Sequence, residues 1–239
     1  MTEGLPVPTR ALAVGAHPDD VEFRCGGTIA KWAAAGCDVH LLIITDGSKG
    51  SWEPDEDVAA LIETRQREAQ EAAGTLGAAD VHFLNLVDGE LDTRLAHREA
   101  VARVIRRTRP DVVLGHDPWK RYRLHPDHRH AGFLTADGVV AARDPHFFPD
   151  AELPHHRPEE LLLFEAQEPD HFEPLTEEHV RTKVAALLCH RSQWRSTMGI
   201  GDSEDEREEF AARIRQKARE AGQTADLPLA EAFKRLGDI

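Results

Sequence analysis

The stretch from Leu12 to Glu22, LAVGAHPDDVE, begins as a buried strand and ends as a polar loop. Its first four residues are continuously apolar, which is typical of a strand covered on both faces of a parallel sheet. Four further short runs have a similar character, at residues 39–44, 81–86, 112–115 and 161–164. The sequence therefore predicts five buried strands of a mostly parallel sheet.

Helical patterns separate these strands. The spacing of Ile29, Trp32, Ala33 and Gly36 indicates one helix, and two others are predicted near residues 57–76 and 95–107. Because strand and helix alternate, the expected fold is an α/β, Rossmann-like fold with helices on both faces of the sheet.

The region after Phe164 has a different pattern. It predicts two helices, at residues 177–190 and 203–221, and hence a helical C-terminal part. The Pro- and His-rich stretch 144–158 is predicted to be a surface loop. A length of 239 residues fits one α/β domain, so we expect residues 1–239 to form a single domain.

The composition limits the partners and the compartment. The chain has 29 Lys+Arg and 43 Asp+Glu, a net charge of −14, whereas binding to nucleic acid or anionic lipid requires clustered basic residues. We therefore expect no nucleic-acid partner.

The sequence also bears on the compartment. No apolar run approaches the ~20 residues of a membrane span, and the first ten residues lack the basic start and apolar run of a signal peptide. Cys25, Cys37 and Cys189 show no CxxC spacing, which favours the reducing cytoplasm. The formation of homo-oligomers is left open.

Polar residues follow the first predicted strand, at the edge of the sheet where α/β proteins bind ligands. This segment lacks the GxGxxG spacing of dinucleotide-binding proteins, and its acids, including Asp19 and Asp20, would repel a pyrophosphate. His17 and Asp20 can instead face one cation from a single turn, which leaves Asp19 free to act as a base. The alternative is that Pro18 starts a helix whose first turn carries acids only to complement the helix dipole.

A second His-Pro-Asp tripeptide begins the run 125–130, HPDHRH. Two such tripeptides in one chain are improbable by chance. One ligand from the second run would complete a His, Asp, His set with a coordination position left for water, which is typical of catalytic rather than structural zinc. Iron(II) is the alternative ion, because a mixed nitrogen and oxygen site selects weakly between metals.

The chain resembles the PIG-L/LmbE-type de-N-acetylases in six segments that occur in the same order. The two specific ones are Ala16-His-Pro-Asp-Asp-Val-Glu22 and His125-Pro-Asp-His128. The four weaker ones are Thr45-Asp-Gly, Arg65-x-x-Glu68, Asp88-Gly-x-Leu91 and His190-x-Ser192-Gln193. The resemblance implies a Rossmann-like fold, a divalent metal that is usually zinc, and hydrolysis of an N-acetyl amide, commonly on a small glucosamine-containing substrate.

The resemblance also implies residue roles. His17, Asp20 and His128 correspond to the metal ligands, and Asp19 corresponds to the general base that activates water. His125 corresponds to the residue that stabilises charge in the tetrahedral intermediate or protonates the leaving amine.

Further residues are expected to support the reaction or to bind the substrate. Asp127, which lies in sequence between two histidines, is expected to orient His125. Arg65, Asp88 and Arg123 are expected to contact the substrate. Several relatives have a tyrosine at the position of Arg123, so this chain departs from the family in the group that holds the oxyanion. The segment 190–193 is expected to be architectural.

Other functions remain open at this point. His and Asp ligands also serve two-metal phosphoesterases, although the two motifs supply few carboxylates for a bridged metal pair. A second alternative is an amidase of thiol conjugates, since relatives of this family include such enzymes. A third is a sugar- or metal-binding module without catalysis, which would keep the fold but lose the general base. Because the chain keeps Asp19 at the position of the general base, an enzyme is favoured over such a non-catalytic module.

Overall fold

A seven-stranded sheet forms the centre of the computed structural model, which describes residues 4–150 and 152–239. The strands are β1 (Arg10–Gly15), β2 (Asp38–Thr45), β3 (Asp80–Leu86), β4 (Val112–His116), β5 (Glu160–Phe164), β6 (His171–Pro174) and β7 (Ala230–Gly237). The helices are α1 (Asp20–Ala34), α2 (Val58–Leu76), α3 (Leu95–Thr108), α4 (Pro126–Arg143), α5 (Glu177–Cys189) and α6 (Glu204–Gln223). A 3₁₀ turn at Arg191–Gln193 and a π-helical turn at Trp194–Met198 lie between α5 and α6.

The strands lie in the order β3-β2-β1-β4-β5-β7-β6. β1 pairs in parallel with β2 on one side and with β4 on the other, and the pairs β2–β3 and β4–β5 are parallel too. β7 is antiparallel to both β5 and β6. The sheet is therefore mostly parallel, and the predicted α/β, Rossmann-like class is confirmed.

Alternate strand residues face two different helical layers. Leu41 and Ile43 belong to the apolar cluster formed with α1, α2 and α5, whereas Leu42 and Ile44 belong to the cluster formed with α3 and α4. The near-continuous apolar character of the strands follows from this, because helices cover both faces. α6 packs on α5 through a third cluster that includes Phe210.

The structure contains the expected elements together with three that the sequence patterns did not predict. The five predicted strands and the five predicted helices are present as β1–β5, α1–α3, α5 and α6. α4 was not predicted because its histidine-rich start and its two glycines weaken the helical pattern. In the C-terminal part, β6 and β7 accompany the two helices. β6 has only four residues, and the apolar residues of β7 are interrupted by Glu231, Lys234 and Arg235, so neither strand contains a continuous apolar run.

Several other expectations concern loops, membranes and cysteines. Residues 144–150 and 152–158 contain neither helix nor strand, as predicted for a loop, while residue 151 and residues 1–3 of the N-terminal stretch lie outside the described residues. Over the described ranges, no helix has both the length and the hydrophobicity needed to cross a membrane. Cys25, Cys37 and Cys189 are buried and free.

A glycine allows α4 to approach the end of β4 closely. A Cβ atom at Gly132 would lie 2.6 Å from the carbonyl oxygen of His116 and 2.9 Å from the backbone nitrogen of Pro118. Backbone atoms cannot yield as the end of a flexible side chain can. The glycine therefore lets the second turn of α4 pack against the carboxyl end of β4.

We expect Gly132→Ala to lower the free energy of unfolding by about 1–3 kcal/mol, because the added methyl group overpacks this backbone contact. The matched control is Gly74→Ala in α2, since a Cβ atom at Gly74 meets nothing within 4 Å. This control should raise the free energy of unfolding by about 0.5–1 kcal/mol through helix propensity. Urea unfolding followed by circular dichroism measures both changes. Equal effects of the two substitutions would contradict the role given to Gly132.

Candidate active site

Two loops meet at the carboxyl edge of the sheet, where β1 and β4 are neighbours. The chain continues from β1 to β2 and β3 on one side, and from β4 to β5 on the other. The loops that leave these two strands therefore diverge and form a crevice, which is where open α/β sheets bind their ligands. The β1 loop leads into α1, and the β4 loop leads into α4. Both specific sequence motifs lie at this point.

The β1 loop turns sharply at Asp19. Its φ of 111° lies in the left-handed region that favours glycine, so the backbone is strained there. Hydrogen bonds close the turn, since the backbone N–H of His17 donates to Oδ2 of Asp20 at 2.8 Å and the N–H of Asp20 donates to the carbonyl of His17 at 3.2 Å. All three residues line one cavity as a result.

The carboxylate of Asp20 lies between three imidazole rings. Its Oδ2 is 3.3 Å from Nδ1 of His17 and 3.3 Å from Nε2 of His116, and its Oδ1 is 3.2 Å from Nε2 of His128. Burial opposes ionisation of Asp20, but the charges of His116 and His128 hold its pKa well below the usual value. The structure thus brings the three predicted ligands together and adds His116 from the carboxyl end of β4.

His17 faces two further carboxylates. Its Nε2 is 3.1 Å from Oδ1 of Asp88 and 3.2 Å from Oδ2 of Asp127. Burial favours the neutral ring, but hydrogen bonds with Asp127, Asp20 and Asp88 raise the pKa of His17 well above its usual value. Burial also acts against the Asp88 carboxylate, yet its contact with His17 lowers its pKa to about 2. This excess of carboxylates favours the binding of a cation.

The histidine that Asp127 contacts is His17, not His125 as predicted. Oδ2 of Asp127 accepts a hydrogen bond from the backbone N–H of Gly89 at 2.6 Å and also faces His17. The first turn of α4 therefore directs this carboxylate toward the β1 loop and the loop after β3. The other oxygen, Oδ1, is buried and has no hydrogen-bond partner among the described residues.

The donor set fits a divalent metal ion. Neutral imidazoles and carboxylates are the ligands that zinc and similar first-row ions accept, and a buried carboxylate oxygen without a partner is satisfied by a cation. Three overlapping groups bring ligand atoms within 4.8 Å of one another, namely His17, His125 and His128; Asp20, His116 and His128; and His17, Asp88 and Asp127. The crevice can therefore hold a divalent cation.

Asp19 lies beside these potential ligands. Burial raises its pKa to about 6, while the charge of Arg65 acts in the opposite direction. Nη2 of Arg65 is 3.5 Å from Oδ2 of Asp19. The same guanidinium donates hydrogen bonds of 2.8 Å to the carbonyl oxygens of Gly47 and Pro18. Arg65 therefore ties the β1 loop to the β2 loop and also lines the cavity, where the sequence predicted a substrate contact.

His125 lies at the exposed side of the cavity wall. Its ring stacks on that of His128 with the centroids 4.5 Å apart. Partial burial lowers the pKa of His125, and the charges of His17 and His128 lower it further. The structure thus places an accessible imidazole, whose lowered pKa favours the neutral ring, next to the potential metal ligands.

Arg123 lies behind His116 rather than in the cavity wall. Its Nη1 is 3.1 Å from Nδ1 of His116 and 2.9 Å from Oε2 of Glu165. Within the described part of the chain, Arg123 is not among the residues that line the cavity. Glu165 follows β5 and was not predicted, because only the pairing of β4 with β5 brings it near the site.

The cavity over these side chains has a volume of about 620 Å³. Its wall also contains aromatic and basic side chains that the sequence reasoning missed, namely Phe23, Trp52, Arg24, Lys49 and Lys217. Trp52 is 79% exposed, so its ring is available to a ligand. No motif signals these residues, since they come from three separate segments, namely α1, the loop after β2, and α6.

The weaker sequence motifs hold the loops around the cavity. Oδ1 of Asp46 accepts a hydrogen bond from the backbone N–H of Asp88 at 3.1 Å. Glu68 accepts hydrogen bonds from the backbone N–H and the hydroxyl of Ser192, at 2.9 and 2.6 Å. Gln193 donates to the carbonyl of Gly50 at 3.2 Å and lines the cavity. These contacts are architectural and join segments that are distant in sequence.

Comparison with known proteins relates the chain to deacetylases. The PIG-L family model, described as GlcNAc-PI de-N-acetylase, matches residues 12–139. Diacetylchitobiose deacetylase of Thermococcus kodakarensis is 35% identical over 188 residues, which cover 77% of this chain and 70% of that protein. 1D-myo-inositol 2-acetamido-2-deoxy-alpha-D-glucopyranoside deacetylase of Kineococcus radiotolerans is 34% identical over 171 residues, which cover 59% of this chain and 47% of that protein. The structure of N,N'-diacetylchitobiose deacetylase from Pyrococcus horikoshii matches with a TM-score of 0.84 and 28% identity, over 96% of this chain and 84% of that chain.

We expect Arg65→Lys to lower the free energy of unfolding by about 1–3 kcal/mol, because an ammonium group lacks the planar fork that serves two carbonyl groups and leaves one of them unpaired. Arg67→Lys is the matched control, since Arg67 lies on the same helix and is exposed. Its effect should stay within about 0.5 kcal/mol. Urea unfolding measures both variants. If Arg65→Lys is as stable as the control, the two loops do not depend on the guanidinium.

Proposed function

The chain belongs to the PIG-L family of GlcNAc-PI de-N-acetylases, and on this basis we propose that it hydrolyses the N-acetyl group of a small substrate containing an N-acetylated amino sugar. The observation that carries the proposal is the cluster of His17, Asp20 and His128 beside Asp19 around one cavity. Two of the similar proteins are named as deacetylases of diacetylchitobiose and of an inositol 2-acetamido-2-deoxyglucopyranoside, which supports the substrate class.

We propose His17, Asp20 and His128 as the ligands of a divalent metal ion. The contacts of Asp20 with both histidines support this set, as does the unpartnered oxygen of Asp127 nearby. Zinc is our choice from the ligand types, and iron(II) is the alternative. When bound, the ion supplies Lewis-acid chemistry, which acidifies water and polarises an amide carbonyl.

Asp19 is the proposed general base. Its carboxylate lies in the cavity wall, and Arg65, which also lines the cavity, holds the β1 loop through the carbonyl of Pro18. A pKa of about 6 keeps the group largely ionised at neutral pH and allows it to take a proton as water attacks the amide carbon. Transfer of that proton to the amine nitrogen completes the hydrolysis, in which the C–N bond breaks and acetate and a free amine are released.

The neighbouring residues have supporting roles in this proposal. His125 presents a ring N–H to the cavity and donates a hydrogen bond to the oxyanion or to the leaving amine, because its lowered pKa favours the neutral ring. Asp127 orients His17, and Arg123 positions His116. Asp88 lines the cavity and is a proposed substrate contact.

The remaining sequence-based expectations form part of the same proposal. The continuous sheet from β3 to β6 supports a single domain over residues 1–239. The three free cysteines support a cytoplasmic location, and the net charge of −14 supports the absence of a nucleic-acid partner. Light scattering tests whether the chain associates into homo-oligomers.

Zinc-loaded protein incubated with a panel of substrates tests the function. We expect free amine to appear from diacetylchitobiose or another N-acetylglucosamine derivative, and no phosphate from a phosphate monoester. Amine release is measured with an amine-reactive fluorophore. Cleavage of a phosphate ester or of a thiol-conjugate amide, with no deacetylation of any amino sugar, would contradict the proposal.

Two substitutions separate metal binding from proton transfer. Asp19→Asn should keep its metal while kcat falls by roughly 10² to 10⁴, because the amide cannot accept the proton. His128→Ala should lose most of its metal. Mass spectrometry of bound metal and initial rates provide both measurements, with Asp55→Asn as the control at an exposed position. Metal loss in Asp19→Asn would make Asp19 a ligand, and full metal content with full activity in His128→Ala would remove His128 from the set.

A further inference from the structure

The tripeptide Asp-Val-His occurs twice, at residues 38–40 and 80–82. The first copy begins β2 and the second begins β3, and these strands are parallel neighbours. Their register places His40 opposite Asp80 and Leu42 opposite His82. Because side chains alternate along a strand, Asp38, His40, Asp80 and His82 all project from the same face of the sheet.

Two imidazoles meet in this patch. Nδ1 of His40 is 3.3 Å from Nε2 of His82, and the rings are nearly parallel, with an interplanar angle of 21°. Two nitrogen ligands bound to tetrahedral zinc at about 2.0–2.1 Å lie about 3.3–3.4 Å apart. The two ring nitrogens therefore already have the separation that one zinc ion requires.

Carboxylates complete the donor set. Oδ2 of Asp80 is 3.9 Å from Nε2 of His82, while its Oδ1 accepts a hydrogen bond from the N–H of Val81. Oδ2 of Asp38 is 3.5 Å from Nε2 of His40, on the side of the ring away from His82. A carboxylate in that position favours the tautomer of His40 that carries its proton on Nε2. The lone pair on Nδ1 of His40 is then free to bind a metal.

The surroundings permit a cation to enter. The side chains of His40 and His82 are 17% and 16% exposed, whereas those of Asp38 and Asp80 are 49% and 62% exposed at the rim. The charge of Arg107 acts against a cation at His82. The two carboxylates outnumber this single guanidinium.

We propose that His40, His82 and Asp80 form a second site for a divalent transition-metal ion, of which zinc is the expected occupant. His40 lies five residues before Thr45, at the carboxyl end of β2, so the patch is roughly 16 Å along the strand from the edge that carries the deacetylase site. A metal here joins β2 to the edge strand β3 and stabilises that side of the sheet. The inference does not depend on the proposed function.

Zinc titration of the chelator-treated full chain tests this site. Wild-type protein should bind about one more zinc equivalent per chain than the double variant His40→Asn/His82→Gln, in which amides replace the two ring nitrogens. His128→Ala should keep the equivalent that the double variant loses, which separates this site from the deacetylase site. His146→Gln, at an exposed position, is the matched control. Bound zinc is measured by mass spectrometry and by calorimetry.

Two further measurements distinguish loss of the metal site from misfolding of the double variant. Asp80→Asn changes a mostly exposed side chain and should weaken zinc binding at this site by at least about tenfold. Copper(II) at the intact site should show electron paramagnetic resonance couplings from two nitrogens. Equal zinc content in wild-type protein and in a folded double variant would overturn the proposal, and would identify the His40–His82 contact as a hydrogen bond between the two rings.

Discussion

The carboxylate of Asp20 lies where β1 and β4 part, with His17, His116 and His128 each 3.2 or 3.3 Å from one of its oxygens. A buried carboxylate is costly unless cationic or hydrogen-bonding groups surround it. The three rings come from the β1 loop, the end of β4 and the first turn of α4. The packing of α4 on β4 and the pairing of β1 with β4 must therefore both form before Asp20 is satisfied.

The charges around this carboxylate explain the chemistry of the crevice. Asp88 and Asp127 surround His17 from the other side, so the cluster contains more carboxylates than the two main motifs alone supply. Protons on the histidines can offset this negative charge, and so can a metal ion. Asp19 stands apart from the proposed metal ligands, because burial and the charge of Arg65, rather than the imidazoles, dominate its surroundings. Its neighbours thus differ from those of Asp20, although the two residues are adjacent in sequence.

The residues that could be predicted from the sequence are those whose positions depend on short segments. The buried strands are recognisable because both faces are covered, and His17 and Asp20 are only three residues apart. Residues placed by tertiary contacts could not be predicted in the same way. Glu165 reaches the site only through the pairing of β4 with β5. The partner of Asp127 depends on the rotation of the first turn of α4, which sequence adjacency to His125 does not reveal.

The central position of β1 in the sheet has a consequence for the order of folding. Ala16 and His116 are 100 residues apart in sequence, yet their atoms are in contact at the base of the crevice. The pairing of β1 with β2 is local and can form early. The contact between Ala16 and His116 can form only after β4 is present, because it closes the long loop between these residues. Closing that loop lowers the entropy of the chain before any new contact compensates for the loss. During synthesis, an emerging chain that ends before α4 holds His17 and Asp20 without their partners. Capture of a metal ion by the completed crevice is then a late event, and it stabilises the finished sheet rather than guiding its assembly.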